Sequence, residues 1–109
     1  MTEKQIKFEA CKVLDAGHFI YWFPPWTISK GKFYRNDIFN VFDVVAIKKN
    51  RVVFIQFTTL SNLSHRRKKI QDFVERVANA RGGFPRHGAE IWAWDKKKLS
   101  FKVEEVIMQ

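Results

Sequence analysis

The chain has 109 residues, 46% hydrophobic and 16% aromatic, with 20 Lys and Arg against 11 Asp and Glu and a net charge of +9. This length allows one domain, 1–109, with a single core, and the aromatic content excludes a disordered chain. The longest uncharged run, 16–29, contains two prolines and is too short to span a bilayer, while a single cysteine excludes an internal disulfide and a zinc finger. The sequence therefore predicts a folded cytoplasmic protein with no membrane partner.

Basic residues recur in four short clusters, each at a predicted turn or at the end of a predicted element. The clusters are 30–32, 48–51, 66–69 and 96–98. Clustered cations gain free energy by releasing counterions from phosphates. A solvated surface explains any one cluster, but four of them with an excess of nine charges favour a nucleic-acid partner. Composition does not separate DNA from RNA or from an anionic lipid.

The first predicted elements are a helix over 2–16 and a strand over 18–23. The expected apolar face of the helix comprises Ile6, Ala10, Val13 and Leu14. Thr2 is expected to cap the helix and Gly17 to end it. Two prolines end the strand, and 26–36 is predicted to be an irregular, basic connection.

The clearest pattern is a pair of β-rich runs, 41–48 and 51–58, separated by a Lys49-Asn50 turn. These runs predict a hairpin. A connection centred there sets residues whose numbers add to 99 opposite each other, so that Asp43 faces Gln56.

The rest of the chain predicts a second helix over 61–80, capped by Ser61 or Ser64, and then strands over 89–95 and 99–106. The expected apolar face of this helix comprises Ile70, Phe73, Val74, Val77 and Ala78. Residues 81–83 are expected to close it. The order αβββαβ, with one extended segment added, is typical of the α/β class, with a mixed sheet flanked by helices.

Oxygen ligands are expected to meet on this hairpin. Side chains alternate along a strand, so Asp43, Gln56 and Thr58 share one face, and directly opposed Cβ atoms lie roughly 4.5–5.5 Å apart. Asp43 and Gln56 are therefore candidate ligands of Mg²⁺ or Mn²⁺, with Glu9 of the first helix as a third. Asp43 also has a structural explanation, as an acid that hydrogen-bonds a turn at the start of a strand.

Two other acids leave similar alternatives open. Glu9 has an equally good alternative interpretation as a solvated residue that is ion-paired to Lys12 one turn further along the helix. Asp37 is a competing metal ligand, but it also has the ordinary explanation of a turn residue.

These residues resemble a known family. The αβββαβ order, Glu9 on a helix, Asp43 in Phe42-Asp43-Val44-Val45, and Gln56-Phe57-Thr58 after twelve intervening residues are similar to the PD-(D/E)xK nuclease superfamily. The small archaeal Holliday junction resolvases are the nearest match, over about residues 1–95. The resemblance implies a restriction-endonuclease-like fold and a homodimer. It also implies Mg²⁺-dependent cleavage of DNA phosphodiester bonds, branched DNA included.

In that superfamily an acid of the first helix, an Asp of the second strand and an (Asp/Glu)-x-Lys of the third bind the metal and activate water. Here Gln56 stands for the acid and Thr58 for the lysine. An amide oxygen still ligates a metal, but a hydroxyl does not replace an ammonium group. Lys68, Lys69 and His65 are candidates for the role of this lysine, and phosphate contact alone is the alternative for the basic run 66–69.

The expected residue roles follow from this resemblance and from the basic clusters. The expected catalytic residues are Glu9, Asp43, Gln56, Thr58 and Lys68, of which Glu9, Asp43 and Gln56 are the metal ligands. The expected DNA contacts are Lys30, Lys32, Arg66, Arg67 and Lys69. The alternative is a nucleic-acid-binding module of the same fold that has lost cleavage.

The aromatic residues of the chain leave more than one interpretation open. They are Phe19, Tyr21, Trp22, Phe23, Trp26, Trp92 and Trp94. Such rings stack on unpaired bases in single-strand binders, but they also form cores and dimer surfaces. A weaker third possibility is that they dock the chain on a larger complex.

Overall fold

Helices and strands alternate along the chain of the computed structural model, which describes residues 2–34, 36–39, 41–49, 51–78 and 88–106. The elements are α1 (Glu3–Ala16), β1 (Ile20–Trp22), β2 (Thr27–Ser29), β3 (Lys32–Tyr34), β4 (Val44–Lys48), β5 (Arg51–Thr59), α2 (Leu63–Ala78), β6 (Gly88–Asp95) and β7 (Ser100–Val106). This is the predicted αβββαβ order, with a hairpin inserted after β1 and a strand added at the end. The predicted α/β class is confirmed.

Five strands form one mixed sheet in the order β1-β4-β5-β6-β7. Its neighbours are antiparallel except β5 and β6, which are parallel and joined through α2. Alternate residues of the sheet face two separate cores, with Ala10 and Leu14 of α1 in one and Ile70 and Val74 of α2 in the other. In the described part of the chain, no helix has both the length and the apolar character needed to cross a membrane.

Helix α1 begins and ends where the sequence predicts. The Thr2 hydroxyl accepts the backbone N–H of Gln5, and the Gln5 side chain accepts the N–H of Thr2, which forms a capping box. The buried residues are Ile6, Ala10 and Leu14. Val13 is exposed, so its predicted place on the apolar face is wrong.

The segment after β1 is more regular than predicted. Residues 27–34 form a second, two-stranded sheet in which Thr27 pairs with Tyr34 and Ser29 with Lys32. Lys30 (φ 51°) and Gly31 (φ 74°) both adopt the left-handed conformation that a two-residue hairpin turn requires. The prediction of an irregular connection over 26–36 is therefore wrong, because the turn places a lysine in a conformation that favours Gly, Asn or Asp.

The central hairpin has the predicted register, since Val44 pairs with Ile55 and Lys48 with Arg51. Lys49 has a φ of 50°, and Asn50 lies outside the described residues. Strand β4 begins at Val44 rather than at residue 41. Phe42 is fully buried and forms an isolated bridge with Ile38 instead of joining β4.

The second half of the chain follows the predictions closely. Helix α2 begins at Leu63 after one turn of 3-10 helix at Leu60–Asn62, which contains the predicted cap Ser61. The predicted end of this helix, 79–83, lies outside the described residues. Strands β6 and β7 agree with the predictions to one residue, and Trp92 and Trp94 are buried in the core.

Two side-chain contacts join elements at the edges of the fold. The Tyr21 hydroxyl donates to Asp15 at 2.8 Å, which connects β1 to α1 and raises the pKa of Tyr21 to about 12. Arg67 of α2 donates two hydrogen bonds to Glu104 of β7, from Nε at 2.5 Å and from Nη2 at 2.7 Å. This bidentate pair lowers the pKa of Glu104.

The Arg67–Glu104 pair predicts a pH dependence of stability. Because its pKa is lowered in the folded state, Glu104 contributes stability above its unfolded pKa of about 4.3 and loses it as the pH falls through the folded value. We expect the free energy of unfolding to fall more between pH 7 and pH 3 in the wild type than in Glu104→Gln. Urea denaturation at the two pH values measures the difference.

The control is Glu75→Gln on the exposed face of α2, where Glu75 makes no ion pair with any described residue. It should keep the pH dependence of the wild type. An equal pH dependence in Glu104→Gln and in the wild type would contradict the prediction.

Candidate functional site

Asp43 lies where the β4–β5 ladder ends. The register would set Asp43 opposite Gln56, but the chain bends here, and the backbone N–H of Asp43 donates to the carbonyl of Ile55 at 2.9 Å. The Asp43 carboxylate then accepts the backbone N–H of Phe57 at 2.7 Å. Asp43 is only 8% exposed. Its side chain therefore supplies β5 with the acceptor that a longer β4 backbone would have supplied.

Asp43 lines a cavity of about 800 Å³ between α1, the chain that follows β1, and the end of β5 with the start of α2. The described walls consist of Glu3, Lys4, Ile6, Lys7, Phe8, Cys11, Phe23, Pro24, Trp26, Asn36, Asp43, Phe57, Thr58, Thr59, Asn62 and Arg66. Three of these residues are cations and two are carboxylates. The cavity walls thus contain cations, aromatic rings and one buried acid, Asp43.

Arg66 is the cation that α2 presents to this cavity, one helical turn after Asn62. Its Nε is buried and has no hydrogen-bond partner among the described residues. A guanidinium stays charged at any relevant pH, and a buried donor without an acceptor costs free energy. An anionic ligand in the cavity would satisfy this donor.

The acid that α1 presents to the cavity is Glu3, not the predicted Glu9. Glu9 is ion-paired with Lys12 at 3.3 Å, as the alternative interpretation expected. The described walls do not include Glu9, because it lies on the opposite flank of α1 from Lys7 and Cys11. Glu3, Lys7 and Cys11 recur at intervals of four, which is a helical spacing that the sequence already contained.

Gln56 and Thr58 lie on the same face of β5, but they differ in whether they line the cavity. Thr58 is buried and lines the cavity. Gln56 is also buried, does not line the described walls, and has an Oε1 atom without a hydrogen-bond partner in the described part of the chain. The joint ligation of a metal by Asp43 and Gln56 stays a prediction.

Arg66 excepted, the basic residues expected at the site do not line the described walls of this cavity. Arg67 is bound to Glu104, and Lys68, Lys69 and His65 are not part of the described walls. Lys30 and Lys32 are exposed on the β2–β3 hairpin. Asp37 is half-buried beside Asn36, and only Asn36 lines the cavity.

The donor set suits a metal that is held partly by its substrate. Among the described residues, no three His, Cys, Asp or Glu are grouped in a way that could hold a metal ion. Mg²⁺, however, is usually bound by one or two carboxylates, with waters and substrate phosphates completing its shell. Glu3 and Asp43 are two carboxylates on the walls of one cavity, which is the number of protein ligands that this mode of binding uses.

The chain matches no protein-family model, no curated protein and no solved structure. The resemblance to the PD-(D/E)xK nucleases therefore depends on the motifs in the sequence and stays a prediction.

The hydrogen bond to Asp43 predicts a difference between two variants. Asp43→Ala removes the acceptor of the Phe57 N–H and should lower the free energy of unfolding by about 1–3 kcal/mol. Asp43→Asn keeps a side-chain oxygen and should lower it by less. Urea denaturation followed by tryptophan fluorescence measures both. Equal losses in the two variants would show that the charge of Asp43, and not the hydrogen bond, stabilises the fold.

Proposed function

We propose that this protein is a metal-dependent endonuclease that cleaves DNA phosphodiester bonds in the cavity lined by Asp43. The observation that carries the proposal is one buried carboxylate on the same cavity walls as Lys4, Lys7 and Arg66. Cations alone would serve for binding a phosphate. A carboxylate among them repels the phosphate unless a divalent cation lies between the two, and that arrangement is the one metal-dependent phosphodiester hydrolysis uses.

Each side chain then has a task. Asp43 and Glu3 would hold Mg²⁺ or Mn²⁺, which supplies charge neutralisation of the phosphodiester and a bound water of lowered pKa. The Phe57 N–H fixes the orientation of the Asp43 carboxylate. Arg66 binds phosphate oxygens through its planar fork of donors, and the two lysines bind the neighbouring phosphates as point charges.

These roles differ in part from those expected from the sequence. Glu3 takes the place of Glu9, and Arg66 takes the place of Lys68, because the described cavity walls include the first of each pair and not the second. The Thr58 hydroxyl is a hydrogen-bond donor to a phosphate oxygen. Lys30, Lys32 and Lys69 remain candidates for phosphate contacts outside the cavity.

A nucleic-acid-binding module without catalysis is the second candidate. It is favoured by the small number of acids at the site, since no three metal-ligating residues are grouped in the described chain. It is also favoured by Thr58 at the position where the superfamily has a lysine. The same cations would bind phosphates in both cases, so only cleavage separates the two functions.

We also propose that two copies of the chain form a dimer through the exposed side of β1 and β4. Helix α2 packs on β5, β6 and β7, which leaves Ile20, Trp22 and Ile47 with 71%, 55% and 47% of their surface exposed. Ile20 pairs with Ile47 across the ladder, so their side chains share a face. This patch carries no charge, and a second copy of the patch meets no like charge there. A two-fold dimer provides one site for each strand of a duplex.

A cytoplasmic location, which would give access to nucleic acid, likewise stays a prediction.

Cleavage that depends on Asp43 tests the proposed activity. The wild type should nick supercoiled plasmid or a four-way junction with Mg²⁺ or Mn²⁺. Asp43→Asn should slow cleavage on the order of 100-fold or more, because it removes a metal ligand. Binding of the same DNA should stay within about threefold, since phosphate contacts dominate affinity. Gel assays measure cleavage, and fluorescence anisotropy measures binding.

The matched control is Asp72→Asn on the exposed face of α2, which should cleave like the wild type. Cleavage that survives in Asp43→Asn contradicts the assignment of this site. Salt-dependent binding without cleavage in either metal supports the module instead, and salt-insensitive binding contradicts both functions.

The dimer predicts a change of mass in solution. The chain has a mass of 13.0 kDa, and the wild type should sediment with twice that mass. Ile47→Glu should sediment as a monomer, because a charge buried in an apolar interface costs several kcal/mol. The control Leu99→Glu changes an exposed residue in the turn between β6 and β7 and should leave the dimer intact. A monomeric wild type would contradict the proposal.

A further inference from the structure

The cavity carries more aromatic surface than phosphate binding needs. Its aromatic residues are Phe8, Phe23, Trp26 and Phe57. Two of them belong to the packing of the fold. Phe57 contacts Phe23 and Trp92, with ring centroids 6.2 and 5.9 Å apart, and Lys7 Nζ lies 4.2 Å from the centroid of Phe23.

The other two are largely exposed, Phe8 at 61% and Trp26 at 56%. The ring of Phe8 has Lys12 Nζ 4.6 Å from its centroid. Within the described chain, Trp26 makes no ring contact at all. Among the aromatic residues of the described cavity walls, Trp26 is therefore the exposed one whose ring has neither a ring contact nor a cation contact in the described chain.

Trp26 is also held in place. The side chain of Asn36 donates to the carbonyl of Pro25 at 2.9 Å and to the hydroxyl of Thr27, the residues on either side of Trp26. Asn36 lines the cavity as well. These two bonds hold the residues that flank Trp26, which reduces the backbone conformational entropy that remains to be lost when a ring packs on the exposed indole.

Charge and size indicate what stacks there. The same walls carry Lys4, Lys7 and Arg66, which suit phosphates, and a volume of about 800 Å³ lies within the range of cavities that enclose a small organic ligand. A base within a duplex has both faces covered by its neighbours, and only an unpaired base presents a face to an aromatic side chain. The combination of indole and cations therefore fits a nucleotide whose base is unpaired.

We propose that the cavity binds an unpaired nucleotide with its base stacked on Trp26, so that the substrate class is single-stranded or locally unpaired nucleic acid. This inference rests on the proposed function for the phosphate contacts made by Arg66 and the lysines. It adds a preference among nucleic acids that phosphate contacts alone do not provide.

The test compares one labelled oligonucleotide as a single strand and as a blunt duplex, by fluorescence anisotropy with Ca²⁺ in place of Mg²⁺, because Ca²⁺ also binds oxygen ligands. A gel of each sample checks that the oligonucleotide stays uncleaved. The wild type should bind the single strand roughly tenfold more tightly than the duplex. Trp26→Ala should weaken single-strand binding roughly 5- to 100-fold and leave duplex binding within about twofold. Trp26→Phe keeps an aromatic face and should recover most of the loss.

Two further variants distinguish the loss of base stacking from a change outside the cavity and from the loss of a phosphate contact. Ile28→Ala changes an exposed apolar residue two positions away, outside the described cavity walls, and should bind like the wild type. Arg66→Ala should weaken the binding of both forms, because both present phosphates.

Equal affinity for the two forms, or a Trp26→Ala variant that binds like the wild type, overturns the inference. The proposed function then still stands if binding depends on Arg66 and cleavage depends on Asp43. The absence of binding to either form overturns the proposed function and the inference together.

Discussion

The hydrogen bond from the Phe57 N–H to the Asp43 carboxylate determines where the sheet ends and the cavity begins. Strand β4 has five residues and β5 has nine, so β5 continues past the end of its partner. Without an acceptor, the N–H of Phe57 would be a buried donor with no partner on that side. The carboxylate satisfies it and leaves no β4 backbone beside Thr58 and Thr59, which then form a wall of the cavity.

A second buried acid shows what distinguishes Asp43. Glu90 of β6 is as buried as Asp43, but its partners are all within the fold. Lys48 Nζ lies 3.2 Å from both of its carboxylate oxygens, and Trp92 Nε1 donates to one of them at 3.0 Å. A buried charge that is paired and hydrogen-bonded in this way needs no ligand to explain it. Asp43 accepts the N–H of Phe57 and, unlike Glu90, also lines a cavity whose cations come from two different helices.

The sequence predicted the hairpin that contains Asp43 but not the side chains that meet it. Strand register follows from a period of two and the position of a turn, and the register of β4 and β5 is as predicted. A helix has two flanks beside its apolar stripe, and the stripe alone does not say which flank approaches the end of β5. Including Val13 in the stripe moved the expected site toward Glu9. The centre of the buried stripe is Ala10, and the cavity lies on the flank that contains Lys7 and Cys11.

The residues proposed for catalysis and the residue proposed for base stacking therefore come from different parts of the chain. Arg66 belongs to α2 and Asp43 directly precedes β4, so both of these proposed phosphodiester contacts lie on the αβββαβ framework. Trp26 belongs to the segment inserted between β1 and β4, which the Asn36 side chain holds at its base. The indole of Trp26 makes no ring contact with another described residue, so under the proposed function its substitution is expected to change which form of nucleic acid binds and not the phosphate contacts. In that proposal, an inserted segment that supplies one wall converts a general phosphate site into one that selects an unpaired base.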